Sequence, residues 1–586
     1  MVNNSLSGPI GLLAHSLMSL QLLDISKKLF DGHILMEIGA SLPNLVYLNI
    51  SGNSLIGRIP PSIGDMKFLE SLDLSYNNLS GEIPKMSTVN LLQDLDLSHN
   101  NLSGGILKKL SVGCSSLRSL TLSNNNLQGQ IFSENFSLFQ LEELHLDGNH
   151  FSGSVPKSLS NCSNLYSIDF SNNNLSGRIP RWMGNMLSLS EIIMPNNGLE
   201  GPLPIDFFQL QNLAILDLSN NNISGSLPTC FSPGLINHVH LSKNRLEGSL
   251  TTQLCKSSSL VTLDLSDNQL SGNIPNCISM LGELSYLILK NNNLDGEIPI
   301  QVCKLQKLSL IDLSHNHLSG YIPSCLNITT FDEAYYGDYG AHSSNLAGPS
   351  PVPPPAVDVS AALPISTNEP VHFTTKSMTY SYKGKILAYM SGIDLSCNKL
   401  TDKIPFEIGY LNEIRVLNLS HNNLVGQIPS TFSNLVQIES LDLSYNNLSG
   451  EIPPQLVELY FLSIFSVAYN NLSGKIPARV KQFATFDEGC YQGNPLLCGE
   501  PMKSCSAPSP PPLMPKGPIQ GREEDGPIDI EVFCVSFIVS YIMVLVTIAA
   551  VLYINPYWRQ AWFYYIEMCF NSCYYFVVDH LPKQFH

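Results

Sequence analysis

The sequence predicts a solenoid of short stacked turns that carries a parallel β-sheet on one face, followed by a single membrane-crossing helix. Three observations predict it. The string LDLSYNNLSGEIP stands at residues 72–84 and again at 441–453. An asparagine marking the pattern L-x-L-S-x-N returns every 23 to 25 residues along most of the chain. Behind the last of these units, residues 532–554 form a run of 23 residues without a charge.

The marker falls at Asn53, Asn77, Asn100, Asn125, Asn149, Asn173, Asn197, Asn221, Asn244, Asn268, Asn292 and Asn316, and resumes at Asn398, Asn422, Asn446 and Asn470. Weaker units at Asn4 and Lys28 bring the count to eighteen turns. A chain of 586 residues would ordinarily divide into about four domains, but a repeated unit replaces that expectation with one long array. Within a turn, Leu69, Leu72 and Leu74 point inward, and the short L-x-L alternation is that of a strand. Asn77 stands where the chain leaves the strand, so its amide is placed to satisfy backbone groups unpaired by the bend. The L-x-G-x-I-P that follows supplies a glycine for a bend and a proline that stops a long helix. The return path is therefore expected to be short strand and 3₁₀.

Charged residues make up only 13 % of the chain and the net charge is −17, the wrong sign for displacing counterions from phosphates. Nucleic acid is excluded as a partner. The fourteen cysteines include no paired C-x-x-C zinc spacing. No G-x-S-x-G, H-E-x-x-H or phosphate-binding glycine loop occurs, so neither a catalytic residue, a metal nor a cofactor is expected.

These repeats resemble the plant-type leucine-rich repeat over about residues 1–480, which implies an α/β repeat fold, a right-handed superhelical solenoid with a concave parallel β-sheet. The implied organisation is about fourteen turns over 1–330, an island over 331–386 and four more turns over 387–480. A C-terminal cap over 481–505, a Pro-rich linker with an acidic juxtamembrane segment over 506–531, the membrane helix over 532–554 and a short cytoplasmic tail over 555–586 complete the chain.

The island follows from arithmetic: Asn316 to Asn398 is 82 residues, about 58 more than one turn. Its first half passes through PSPVPPP and cannot pack a core, whereas VHFTTKSMTYSYKG at 371–384 alternates as one or two strands do. A flexible insertion and a binding loop held by a rigid scaffold are both compatible with this composition. YKG at 382–384, MSGIDLS at 390–396 and four closing repeats resemble the membrane-bound receptor-like proteins of plants. NPLLCG with a second cysteine resembles their C-terminal cap, and on that resemblance Cys498 is paired with Cys505. Cys490 has no assigned partner. Cys114 and Cys162 lie two turns apart, about 9.6 Å, too far to bridge. Cys230 with Cys255, and Cys277 with Cys303, lie in adjacent turns, where pairing and buried thiols are equally compatible with the spacing.

At about 1.5 Å per residue, 532–554 is long enough to cross a hydrocarbon core. Flanking lysines and arginines leave its orientation open. The N-x-S/T sites all precede it: Asn3, Asn49, Asn78, Asn101, Asn135, Asn161, Asn174, Asn222, Asn327, Asn418, Asn447 and Asn471. With the cap cysteines they favour an extracellular array and a plasma-membrane protein of single pass. The missing leader and paired-cysteine N-terminal cap of the family read as an N-terminally truncated chain.

Asp73, Asp96, Asp169, Asp217, Asp264, Asp312, Asp394 and Asp442 share one strand position and read as a structural acidic stripe. His238 and His240 are two apart on one strand, so both rings face one side, and two histidines alone make a weak metal site. The concave positions that depart from aspartate, His145, Ile193, His240 and Ile288, with nearby Tyr166 and Tyr286, form the preferred ligand patch.

The resemblance implies a receptor without a kinase of its own. Its ectodomain would bind an extracellular peptide, protein or glycan and signal through an adaptor receptor kinase and a co-receptor kinase, in defence before development. An inhibitor of microbial cell-wall hydrolases and a non-signalling decoy are the alternatives. By the same resemblance, Glu523, Glu524, Asp525, Asp529 and Glu531 would meet the adaptor outside the membrane, and Ser536 and Ser540, at small-x-x-x-small spacing, within it.

Overall fold

The computed structural model describes residues 7–9 and 18–505, apart from 87, 107–109, 111–113, 133–137, 229–234, 327, 329–370 and 376–377. Residues 506–586 belong to a second unit and lie outside the described residues. So do the expected linker, the membrane helix 532–554, the tail, and with them Glu523, Glu524, Asp525, Asp529, Glu531, Ser536 and Ser540. Among the described residues no helix is long and apolar enough to cross a membrane.

Each L-x-L forms a three-residue strand, and these strands stack in chain order and in parallel from Leu22–Asp24 through Ser71–Asp73 to Ile464–Ser466. Register is strict, with Leu72 opposite Leu95 and Leu95 opposite Leu120. Among the described residues Leu22–Asp24 pairs only with Tyr47–Asn49 and Ile464–Ser466 only with Ser440–Asp442, so the sheet is open. The three leucines of the unit, Leu69, Leu72 and Leu74, are at most 1 % exposed and join one continuous core.

Leaving the strand, the chain turns through a left-handed residue just before the marker asparagine, as at Tyr76 (φ 51°) and Tyr445 (φ 52°). The asparagine holds this bend closed. Asn77 Nδ2 donates to the carbonyls of Leu74 and Ser75 in its own turn and of Ile50 in the turn before, each at 3.1 Å. Its Oδ1 accepts the N–H of Leu55 from that earlier turn at 3.0 Å. The residues that follow add a second parallel ladder, in which Asn78–Glu82 lies between Ser54–Gly57 and Asn101–Gly104. The I-P step then opens a 3₁₀ segment such as Pro61–Asp65 or Arg181–Asn185 on the outer side. The proline stands at the N-cap of these segments, where no helical bond needs its missing N–H, and among the described residues the α-helix is confined to Ile38–Ser41.

The ladder spans the island without a break. Leu310–Asp312 pairs directly with Gly392–Asp394, and Asn398 accepts the N–H of Leu318 at 3.0 Å across 80 residues of chain. It also continues one rung beyond the last L-x-L unit. Asn494, 24 residues after Asn470, donates to the carbonyls of Val467 and Tyr491 and accepts the N–H of Leu472. Strand Leu496–Cys498 then extends the second ladder, Tyr491 packs beside Phe465, and a disulfide joins Cys498 to Cys505.

Two further disulfides correct the expected cysteine pairs: Cys255 bridges Cys277, and Cys303 bridges Cys325. Cys255 is the fourth residue of Thr252–Lys256 and Cys277 the second of Asn276–Met280. A separation of 22 residues in a 24-residue repeat thus brings the late position of one segment against the early position of the next. Cys277 to Cys303 runs the opposite diagonal, and Cys230 lies outside the described residues. Cys114 and Cys162 are separate buried thiols, both pushed up to about 12 by burial.

Candidate functional site

The concave face is built from two rows of outward side chains, one from each end of the three-residue strands. In the second row His145, Asp169, Ile193, Asp217, His240, Asp264, Ile288, Asp312 and Asp394 stand in register on successive strands. The aspartates of this row close turns: Oδ1 of Asp73 accepts the backbone N–H of Ser75 at 2.9 Å and its hydroxyl at 2.7 Å, and Asp264, Asp394 and Asp442 repeat the arrangement.

The described part of the island folds back onto this face. Val371–Thr375 and Met378–Tyr382 form an antiparallel hairpin, with Val371 opposite Tyr382. Alternation puts Val371 and Phe373 on its inner side, where with Leu387 and Met390 they pack against Val261, Tyr286, Ile288, Leu310 and Val416. The footprint shows in burial. Every residue is buried in the strands Ile215–Asp217, His238–His240, Thr262–Asp264, Tyr286–Ile288, Leu310–Asp312 and Gly392–Asp394. Beyond it, the outer residues of Ser71–Asp73, Glu143–His145, Glu191–Ile193 and Ile464–Ser466 are half-exposed.

This divides the ligand patch expected from sequence. His145, Tyr166 and Ile193 remain on the open face, His145 Nε2 lying 3.1 Å from Ser167 Oγ and the Tyr166 hydroxyl bonding to Glu143. Tyr286 and Ile288 belong to the hairpin's seat instead, 6 % and 0 % exposed, because an apolar strand of this chain has taken the surface left for a ligand. His240 is also buried, its ring parallel to that of His238 with centroids 6.3 Å apart. His238 Nδ1 meets Thr262 Oγ1 at 3.0 Å, and among the described residues Nε2 of neither ring has a partner. Burial, helped by His240, holds His238 down at about 3. Among the described residues no group of three His, Cys, Asp or Glu is placed to hold a metal.

Asp312 and Asp394 lie side by side in the seat. Burial and then the Asp394 charge push Asp312 up to about 7, and burial also raises Asp394. Among the described residues Asp312 Oδ2 has no partner, whereas Asp394 Oδ2 accepts from Asn418 Nδ2 at 3.2 Å.

Where the hairpin ends, a groove of about 450 Å³ opens along the concave face. Asp169, Ile193, Pro195 and Asp217 contribute from the sheet side. Asn172, Asn196, Asn220 and Lys243 contribute from the left-handed turns, and His372 and Lys383 from the island. The three asparagines form a chain, Asn196 donating to Asn172 at 2.9 Å and Asn220 to Asn196 at 2.6 Å. Of the expected patch only Ile193 lines the groove. Lys243 was detectable in principle as the single lysine at the left-handed turn between Asn220 and Asp267. His372 and Lys383 carried no signal, since their approach depends on the fold-back of the hairpin.

The N-x-S/T asparagines fall into three settings. Asn78, Asn101, Asn174, Asn222, Asn447 and Asn471 are exposed at the first position of second-ladder strands, and Asn161 is exposed at the end of a 3₁₀ segment. Asn49 and Asn418 occupy aspartate positions of the concave row, where each Oδ1 accepts from the following serine. Asn3, Asn135 and Asn327 lie outside the described residues.

The family Leucine rich repeat matches residues 390–448, and Leucine Rich Repeat matches nine segments from 44–66 to 307–327. The chain is 61 % identical over 212 residues to Cuscuta receptor 1 of Solanum lycopersicum, covering 36 % of this chain and 19 % of that protein. It is 57 % identical over 204 residues to Receptor-like protein 1 of Arabidopsis thaliana, covering 34 % and 19 %. The alignments thus span about a fifth of the length of these relatives. Among solved structures it is similar to the Arabidopsis receptor kinase HAESA, determined with the peptide hormone IDA and the co-receptor SERK1, at a TM-score of 0.60 and 30 % identity over 85 % of this chain and 86 % of that one. The PEPR1–AtPEP1 structure matches at a TM-score of 0.57 and 26 % identity, over 80 % and 68 %.

Proposed function

Because this chain belongs to the plant leucine-rich-repeat receptor-like proteins, we propose that its solenoid is the extracellular part of a cell-surface receptor and that an extracellular ligand seats in the groove beside the island hairpin. One observation carries this reading: residues more than 200 positions apart in sequence, from Asp169 to Lys383, line one open cleft where the island hairpin ends on the concave face. A peptide, a protein segment or a glycan would fit such a cleft, and the HAESA structure with a peptide hormone and a co-receptor supports ligand-dependent assembly with a kinase. In this reading 532–554 anchors the protein once in the plasma membrane, the sequon-bearing array is outside, and an adaptor and a co-receptor kinase carry the signal inward, in defence before development.

The test is a response assay on plant cells expressing the full chain, challenged with fractionated extracellular peptides, proteins and glycans. A fraction that triggers kinase co-purification with the wild type and not with Ile193→Arg supports the reading. A response of equal size in Ile193→Arg would overturn it.

A further inference from the structure

The exposed charges of the groove stand at its two ends. Asp169 stands half-exposed on the sheet side, and Asp94, Asp96 and Glu143 continue the acidic character along the concave strands that precede it, whereas Asp217 is buried one strand step from the turn of Lys243. Lys243, Lys383 and His372 stand where the groove meets the island. Oδ1 of Asp169 is engaged by Ser171, while among the described residues its Oδ2 takes no hydrogen bond. Neither lysine has a carboxylate partner among the described residues, and both are exposed. Ile193 and Pro195 add an apolar stretch to the lining. Left to itself this arrangement holds two unpaired signs of charge along one cleft, a pattern that a neutral sugar chain would not complement and that either sign alone would half satisfy.

We infer that the groove recognises an extended peptide segment carrying a basic side chain and, about four residues away, an acidic one, with the basic end on Asp169 and the acidic end on Lys243 and Lys383. The spacing follows from the scaffold. Asp169 to the turn of Lys243 is three strand steps of about 4.8 Å, and an extended peptide advances about 3.3 Å per residue. Opposite charges thus sit about four residues apart. The inference rests on the groove being the ligand site, and names the class of ligand that this site selects.

Binding of fluorescein-labelled, end-blocked pentapeptides to the purified full chain in detergent tests it. Arg-Ala-Leu-Ala-Glu is expected to bind more tightly than Gln-Ala-Leu-Ala-Gln, by about fivefold for each pair formed, with the advantage shrinking as salt is added. Asp169→Asn should move the preference to Glu-Ala-Leu-Ala-Glu, and Lys243→Gln with Lys383→Gln to Arg-Ala-Leu-Ala-Arg. These changes keep side-chain size, and circular dichroism of each variant checks the fold. Equal binding of the neutral and dipolar peptides, an order of preference unmoved by the substitutions, no peptide binding at all, or binding of labelled cellohexaose in their place would each overturn the inference. A cell response lost in Ile193→Arg but untouched by the charge variants would retire the charge reading alone and leave the groove as the ligand site.

Discussion

The ring of Phe373 lies over Gly392, its Cε1 2.7 Å from the point where a β-carbon on that glycine would stand. Gly392 is the first residue of a concave strand, between Leu310 and Val416 in the row, so the missing side chain leaves a socket and the island hairpin seats its phenylalanine there. Gly392→Ala should therefore push the hairpin off its seat at a cost of about 1–3 kcal/mol, and Phe373→Ala should loosen it by emptying the socket. Hydrogen exchange would read this as faster exchange over 371–382 with unchanged protection in the strands before residue 200. Unchanged exchange in both variants would show that this contact does not hold the hairpin.

Asn494 closes the cap as the marker asparagines close the turns, and it is 1 % exposed. Asn494→Ala leaves the N–H of Leu472 and the carbonyls of Val467 and Tyr491 without their partner, at about 1–3 kcal/mol for each group that water does not reach. Urea unfolding should show an early transition confined to the last turns. Asn447→Ala, on an exposed sequon, should stay within about 0.5 kcal/mol.

Asp312 and His238 give the seat opposite dependences on pH. The folded state raises Asp312, so its contribution is complete below the unfolded value of about 3.9 and is lost as pH rises through about 7. Asp312→Asn should then stabilise the protein by about 1–3 kcal/mol at pH 8 and change little at pH 4. The folded state lowers His238, so its contribution is complete above about 6.5 and is lost as pH falls toward about 3. His238→Gln should flatten the acid side alone. Urea midpoints of the three proteins from pH 4 to 8 would check both signs.

Non-reducing peptide mapping should recover Cys255 linked to Cys277 and Cys303 linked to Cys325, and no peptide linking Cys277 to Cys303. Replacing Cys303 and Cys325 together by serine opens a 22-residue loop, for which chain entropy gives a loss of about 3 kcal/mol.

Much of the scaffold was legible in the sequence because a repeat states its own rules many times over. The leucines of L-x-L are buried, the asparagines satisfy the bend, and I-P starts a 3₁₀ segment, each as residue chemistry requires. Asn494 was hidden because no L-x-L precedes it, although its spacing of 24 from Asn470 was in view. Of the six residues expected to form a ligand patch, His145, Tyr166 and Ile193 stand on the open face and only Ile193 lines the groove. Periodicity tells on which face His240, Tyr286 and Ile288 stand, and it gives no information on what returns from residues 371–390 to cover that face. For the same reason the groove's basic side, His372 and Lys383, was out of reach. The cysteines failed on a finer point: counting turns does not distinguish a 22-residue diagonal from a 26-residue one.

The asparagine ladder also runs in one direction through time. Each rung reaches backward, so the bend that Leu55 leaves is locked only when Asn77 has been made, 22 residues later. At a synthesis rate of about 5–20 residues per second, an ordinary turn waits for its successor on the order of one to a few seconds. Leu318 is held by Asn398, 80 residues on. The turn before the island therefore stays unlatched for about four times as long as any ordinary neighbour, until the insertion has been made and the next turn arrives to close it.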